Sequence, residues 1–171
     1  CIRDREKTSI MLVPEISLTP QTVDRFIARF GEEKIAVLHS KLSIGERYDQ
    51  WQKIKSGKAK IIIGARSAIF APVKNLGIII IDEEHDSSYK SEMTPRYNAK
   101  EIAEVLAKKN RIPLILGSAT PDINTYYKAI NNEIVLLELT KRANKASLPN
   151  VEIVDLREEL ANGNRSMIST K

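Results

Sequence analysis

A chain of 171 residues, 42% hydrophobic and 29% charged, has the size and composition of one packed domain, not of a disordered or fibrous polymer. Its 27 basic and 22 acidic side chains leave a formal charge of +5, which suits a polyanionic partner without establishing one. The single cysteine, Cys1, excludes an internal disulfide and a cysteine-built zinc site, two histidines argue against a histidine-rich metal centre, and no apolar run reaches membrane length. With no signal peptide visible, the default compartment is the cytoplasm.

In chain order, residues 9–13 read as a short apolar strand closed by Pro14. Thr19 and Pro20 form an N-cap and first-turn proline. The helix they open buries Val23, Phe26, Ile27 and Phe30 and stops at Gly31. Residues 35–38 are the next strand. Ser43-Ile44-Gly45-Glu46 is a capping box. It starts a helix with Ile44, Tyr48, Trp51 and Ile54 or Lys55 along one side, with Trp51 read as core, and Gly57 ends it. Residues 60–63 are a strand, followed by a loop over 64–72 with a short apolar turn. Residues 76–81 are a strand whose four successive isoleucines, 78–81, mark burial on both faces of a parallel sheet. A polar loop fills 86–97. Asn98, with Glu101 three residues on, caps a helix burying Ile102, Val105 and Leu106. Residues 113–116 are a strand, and Asp122 caps a helix reaching about Asn132. Residues 134–139 read as a last core strand, 140–150 as a basic loop, 151–156 as an isolated strand and 162–171 as a frayed end. Strands alternating with helices predict a parallel α/β sheet with right-handed crossovers.

The chemistry concentrates in Asp82-Glu83-Glu84-His85, directly after the isoleucine strand. Open α/β sheets place their ligands at that end of a strand. In nucleotide hydrolysis one carboxylate there holds the Mg²⁺ that bridges the β- and γ-phosphates, and a second orients the attacking water. The alternative is an acidic, solvated loop. A phosphate-wrapping G-x-x-x-x-G-K-[ST] loop is missing: the one Gly-Lys pair, Gly57-Lys58, is followed by Ala59 and ends a helix. Either the acidic motif is incidental or the chain is a piece cut after its phosphate loop. Arg66 and Ser67, after a strand end, suit contact with phosphate, beside the plainer reading of a surface arginine. His39-Ser40-Lys41 lies at another strand end. In the 86–97 loop, Tyr89, Lys90, Arg96 and Tyr97 interleave cations with aromatics. That pattern suits single-stranded DNA, or else a connector whose tyrosines pack on the domain.

Four segments in order resemble motifs Ia, Ib, II and III of the superfamily 2 helicases. They are Leu12-Val13-Pro14-Glu15-Ile16-Ser17-Leu18-Thr19-Pro20-Gln21, Gly64-Ala65-Arg66-Ser67-Ala68-Ile69-Phe70-Ala71-Pro72, Asp82-Glu83-Glu84-His85-Asp86 and Gly117-Ser118-Ala119-Thr120-Pro121. Asp86-Ser87-Ser88-Tyr89-Lys90, with Pro95-Arg96-Tyr97-Asn98-Ala99, is similar to the segment after motif II in the primosomal protein N′ family of bacterial replication-restart helicases. The resemblance covers about residues 10–160. It implies a three-layer α/β/α fold with a mainly parallel sheet, of the RecA-like P-loop NTPase type and here incomplete. Residues 1–140 would be part of the ATP-binding motor lobe, and 141–171 a basic linker toward the second lobe. It implies ATP and Mg²⁺ as cofactors, with zinc bound elsewhere in intact members and not in this chain. Single-stranded and forked DNA, primosome proteins and single-strand-binding proteins are the implied partners, in a cytoplasmic, nucleoid-associated setting away from membranes.

By the same resemblance, Asp82 holds Mg²⁺ through water, Glu83 orients the hydrolytic water, and His85 contacts the motif III region and links hydrolysis to DNA. Ser118 and Thr120 are coupling residues, although both also suit a turn before the Asp122 helix. Arg66, Ser67, Ser17, Thr19 and His39 would contact DNA, with Thr19 also a helix cap and His39 equally a solvated loop residue. Tyr89, Lys90 and Arg96 belong to the loop that reports DNA occupancy. The phosphate loop would precede residue 1, and an arginine finger and zinc region would follow residue 171, so the chain alone is expected to be inactive. Its missing strand would cost residues 113–116 one neighbour, with the gap filled by the 134–139 strand, by a second chain in self-association or by a flanking segment. Two rivals stand: another superfamily 2 translocase, and a non-catalytic α/β binding module.

Overall fold

The computed structural model describes residues 7–140 and 151–169. The chain divides into two compact units, residues 1–134 and 135–171. In the first unit five described strands form one sheet: β1 (Thr8–Leu12), β2 (Ile35–Leu38), β3 (Ile61–Gly64), β4 (Leu76–Ile81) and β5 (Leu114–Leu116). Their order is β2-β3-β1-β4-β5, and every pairing is parallel. Helices α1 (Pro20–Phe30), α2 (Ile44–Lys55), α3 (Ala99–Asn110) and α4 (Ile123–Ile130) follow strands β1, β2, β4 and β5. No helix among the described residues is long and apolar enough to cross a membrane.

Alternation along the strands sends side chains to two faces. On one face Ile10, Leu12, Ala36, Ile62, Ile79 and Ile81 pack with Ile54 of α2, Ala99 and Ala103 of α3, and Tyr89. On the other, Val13, Ile35 and Ile63 meet Phe26, Ile27 and Phe30 of α1. Helices on both sides make the three layers. The helix starts are those the sequence signals. Thr19 accepts from Thr22 N–H at 3.3 Å with Pro20 at the first helical position. Ser43 and Glu46 complete a reciprocal capping box. Asn98 and Asp122 cap α3 and α4. Gly64 ends β3 where a Cβ would lie 2.3 Å from the Leu38 carbonyl oxygen, so only glycine lets β2 and β3 close there.

Four expectations are corrected. Val105 is exposed, not buried. The stripe that α3 turns inward is Ala99, Ala103 and Ala107, whose small side chains fit the helix against the sheet, with Ile102 and Leu106 packed beside it. Ile44 is 91%, Tyr48 60% and Trp51 38% exposed, so Trp51 is not core. The inner face of α2 is set by Ile54 and by Gln50, whose Oε1 accepts from Val37 N–H at 3.1 Å on the edge strand. The face that α2 turns to the sheet is therefore not its aromatic stripe. Residues 134–139 form no strand; Val135, Leu137 and Leu139 are exposed, and β5 pairs with β4 alone among the described residues. Aliphatic residues make a strand only where a ladder accepts them. Residues 151–155 are irregular too, and helix α5 (Leu156–Ala161) starts instead where Asp155 accepts from Arg157 N–H at 2.9 Å. Val151 and Ile153 are exposed and find no ladder partner among the described residues. Part of the predicted basic loop, 141–150, lies outside the described residues.

Candidate functional site

The chain leaves β1 toward β2 on one side of the sheet and leaves β4 toward β5 on the other. The switch point therefore falls between β1 and β4, and ligands of such sheets bind in the crevice outside the strand ends there. The acidic segment begins at that place. Asp82 N–H donates to the Leu12 carbonyl at 2.9 Å, Gly117 N–H to the Ile81 carbonyl at 2.8 Å, and Glu84 N–H to the Gly117 carbonyl at 3.0 Å. Backbone bonds thus tie residues 82–84 to the strands on both sides. Asp82 and Glu83 are half-buried. Asp82 Oδ1 accepts from Glu83 N–H at 3.2 Å, and its other oxygen has no hydrogen-bond partner among the described residues. Glu83 sits at φ 45°, a left-handed conformation uncommon outside glycine and frequent at functional sites. His85, exposed, places Nδ1 2.7 Å from Ser118 Oγ and 3.6 Å from Glu83 Oε2. Ser118 Oγ in turn accepts from Thr120 N–H at 3.0 Å. Asp82, Glu83, His85, Ser118 and Thr120 are thus brought to one edge.

Glu84 behaves unlike its neighbours. It is 4% exposed and points into the domain. Its Oε2 accepts from Lys100 Nζ at 2.5 Å and from Thr125 Oγ1 at 3.0 Å, and its Oε1 accepts from Asp122 N–H at 2.6 Å. Lys100 also donates to Thr125 Oγ1 at 2.6 Å. Sequence reasoning assigned no role to Glu84, Lys100 or Thr125. The local pattern gives no sign that one of three successive acidic residues turns inward, or that partners 16 and 41 positions away meet it.

The 86–97 loop is anchored beside these groups. Tyr89 is 2% exposed, and its hydroxyl donates to the Asp82 carbonyl at 2.6 Å. Burial first, and then the carboxylates of Asp82, Asp86 and Glu83, push that hydroxyl above the usual tyrosine range. Asp86 caps a short turn through Ser88, whose hydroxyl holds the carboxyl below its usual range. Ser91 N–H donates to the Tyr97 carbonyl at 2.7 Å and closes the neck of the loop. Arg66 Nη1 donates to the carbonyls of Ser88, at 3.2 Å, and Lys90. Its guanidinium lies 5.5 Å from the Tyr97 ring centre, and Tyr97 meets Phe70 edge-on at 5.1 Å. Arg66 is therefore engaged with the loop, Tyr89 is packed inside the domain, and Lys90, Arg96 and Ser67 are exposed.

The motif Ia-like segment lies farther along the same edge. Thr19 caps α1 and shares a 3.1 Å contact with Thr22 Oγ1, which donates to the Ser17 carbonyl at 3.2 Å. Glu15 Oε1 accepts from Ser40 N–H at 3.2 Å and from the Ser40 hydroxyl. That hydroxyl, more than His39 or Lys41, holds the Glu15 carboxyl below its usual range. A groove of about 390 Å³ opens there, with His39, Lys41 and Glu15 around apolar Leu18, Val23 and Val37.

The model of the DEAD/DEAH box helicase family matches residues 2–129. The chain is 56% identical over 165 residues to the replication restart protein PriA of Bacillus subtilis, covering 96% of this chain and 20% of that protein. It is 51% identical over 165 residues to the replication restart protein PriA of Synechocystis, covering 94% and 20%. A solved structure of RecG bound to a three-way DNA junction matches with a TM-score of 0.49 and 21% identity, over 74% of this chain and 16% of that one. The chain spans about a fifth of the length of the curated relatives it matches. With a five-stranded parallel sheet of RecA-like kind and its acidic motif at the switch point, the chain belongs to the DEAD/DEAH box helicase family.

Proposed function

We propose that this chain supplies the hydrolytic carboxylates of an ATP-dependent DNA helicase that acts in replication restart. The observation that carries the reading is the placement of Asp82 and Glu83 at the β1–β4 switch point, with His85 on Ser118 beside them. Asp82 fits a Mg²⁺ that arrives with ATP. It offers one oxygen with no partner among the described residues, and no cluster of three or more ligating side chains surrounds it there. Mg²⁺ takes one or two carboxylates, keeps several waters and uses the substrate's phosphates for the rest. When bound, it neutralises charge developing on the β- and γ-phosphates.

Glu83 accepts a hydrogen bond from the attacking water and orients it; the left-handed backbone at Glu83 fixes where that carboxylate starts from. His85, through Nδ1 and Ser118 Oγ, joins the hydrolytic segment to the Ser118–Thr120 turn. The phosphate-gripping loop and the second lobe belong to the longer protein, as does the full DNA track. On this chain the DNA side is the edge formed by Ser17, Thr19, His39, Ser67, Lys90 and Arg96, with Arg66 and Tyr89 holding the 86–97 loop in place. The exposed Lys90 and Arg96 are the cations on that edge that suit a polyanion. The full-length protein would move 3′-to-5′ on single strands at forks in the bacterial cytoplasm, near the nucleoid, with primosome and single-strand-binding proteins as partners.

The test is ATP hydrolysis by the purified full-length protein with and without single-stranded DNA, beside strand displacement on a forked substrate. The reading expects hydrolysis that depends on Mg²⁺ and rises with DNA. A full-length protein that binds DNA yet hydrolyses no nucleotide would return the chain to the non-catalytic binding module.

A further inference from the structure

We propose that Glu84 is a positioning residue that clamps the 117–122 segment to the hydrolytic loop and, through Lys100, ties both to the foot of the 86–97 loop. This rests on the helicase reading above. One residue grips the segment at both ends. Its backbone N–H holds the Gly117 carbonyl at 3.0 Å, and its carboxylate holds Asp122 N–H at 2.6 Å. Between those two points lies Ser118, whose Oγ meets His85 Nδ1 at 2.7 Å. The position of Ser118 against His85 is therefore set by a span that starts and finishes on Glu84.

The second oxygen of the carboxylate does different work. It takes Lys100 Nζ and Thr125 Oγ1. Lys100 lies in the first turn of α3, its N–H bonded to the Asn98 cap at 3.0 Å, and Asn98 pairs with Lys90 across the neck of the 86–97 loop. A displacement of the loop's foot is thus passed to Lys100, from Lys100 to Glu84, and from Glu84 to the turn that carries Ser118. The Glu84 side chain is 1% and the Lys100 side chain 17% exposed, so the Glu84 carboxylate is shut off from water. Charge-assisted bonds in such a site are short and directional, which suits a rigid link. Glu84 itself touches no reacting atom; it acts through Ser118 and His85.

The experiment uses the full-length protein with Glu84→Gln and, separately, Thr125→Val. Glutamine keeps the shape and removes the charge facing Lys100; valine removes one hydroxyl from the network and leaves the ion pair. Steady-state hydrolysis is measured against ATP at saturating single-stranded DNA and without DNA, together with the melting midpoint. For Glu84→Gln, kcat with DNA should fall about tenfold or more while KM for ATP stays within about threefold; for Thr125→Val the loss should be smaller and in the same direction. The ratio of rates with and without DNA should shrink in both. Folded variants that keep the wild-type ratio overturn the clamp. So does a parallel loss of ATP affinity, DNA affinity and rate, which marks plain destabilisation. If Glu84→Gln does not fold, Thr125→Val decides by the same ratio. A wild-type protein without DNA-stimulated hydrolysis defeats the helicase reading itself, whereas an active wild type with unaltered variants defeats only the clamp.

Discussion

Residues 82–85 and 86–97 are consecutive loops on one edge of one sheet, yet they are held by different means. The first is bonded through its backbone to β1 and to the segment after β5, and its third carboxylate, Glu84, is buried on a lysine and a threonine. The second has one buried anchor, Tyr89, and is otherwise fastened from outside by Arg66 on two carbonyls and by the bond at its neck. Residues 92–96, at its tip, are exposed throughout. On the function proposed above, the contrast matches two tasks. Groups that orient water and phosphate gain from fixed geometry, because small misplacements are costly to rate. A segment that reports a ligand must be cheap to displace, and segments with few buried contacts are the ones that open locally.

The largest way to break the contrast is Lys100→Met. It leaves the Glu84 carboxylate buried and uncompensated, and should cost about 3–5 kcal/mol of stability, read as a large drop in denaturant midpoint. A loss within experimental noise would mean that Glu84 reaches water. Tyr89→Phe comes next. It leaves the part-buried Asp82 carbonyl without its hydroxyl donor, for about 1–3 kcal/mol. This variant also carries a pH signature. The folded state keeps Tyr89 protonated where the unfolded chain, with its ordinary value of 10.0, has already ionised it. The stabilising contribution is therefore complete below about pH 10 and declines as pH rises above it. The difference between wild type and Tyr89→Phe should shrink in that alkaline range; a difference constant up to the highest accessible pH would remove the buried hydroxyl from the account.

Arg66→Ala should be milder, about 0.5–1.5 kcal/mol, because it removes hydrogen bonds near the surface. Its sharper readout is limited proteolysis, with trypsin cutting after Lys90 and Arg96 faster than in wild type. Unchanged cutting would show that the outer fastening does not hold the loop. Met93→Ser, at a tip residue 78% exposed, should move stability by no more than about 0.5 kcal/mol. A larger effect would mean that the tip is packed and the two loops are not so different.

How much of this was legible in sequence depended on how local its cause was. The strands and first four helices follow from caps, prolines and apolar runs, each acting over a few residues: Thr19-Pro20, the Ser43–Glu46 box, Asn98, Asp122 and the isoleucines of β4. The ends of those elements carry the motif residues, so Asp82, His85 and Ser118 could be placed on one edge before any coordinates. Direction was not legible. Trp51 looks like core by spacing, but the face of α2 that meets the sheet carries Ile54 and Gln50 instead. Glu84 looks like Glu83, and only its meeting with Lys100 and Thr125 separates them. The aliphatic run 134–139 reads as a strand until a partner is required.

The central claim is that Glu83 orients the water that hydrolyses ATP. Its most direct test is Glu83→Gln in the full-length protein, with nucleotide affinity and steady-state hydrolysis measured side by side at saturating DNA. Glutamine keeps the shape and loses the charge, so ATP and DNA binding should persist while hydrolysis falls by about 10²–10⁴-fold. A Glu83→Gln protein that hydrolyses ATP at close to the wild-type rate would contradict the account.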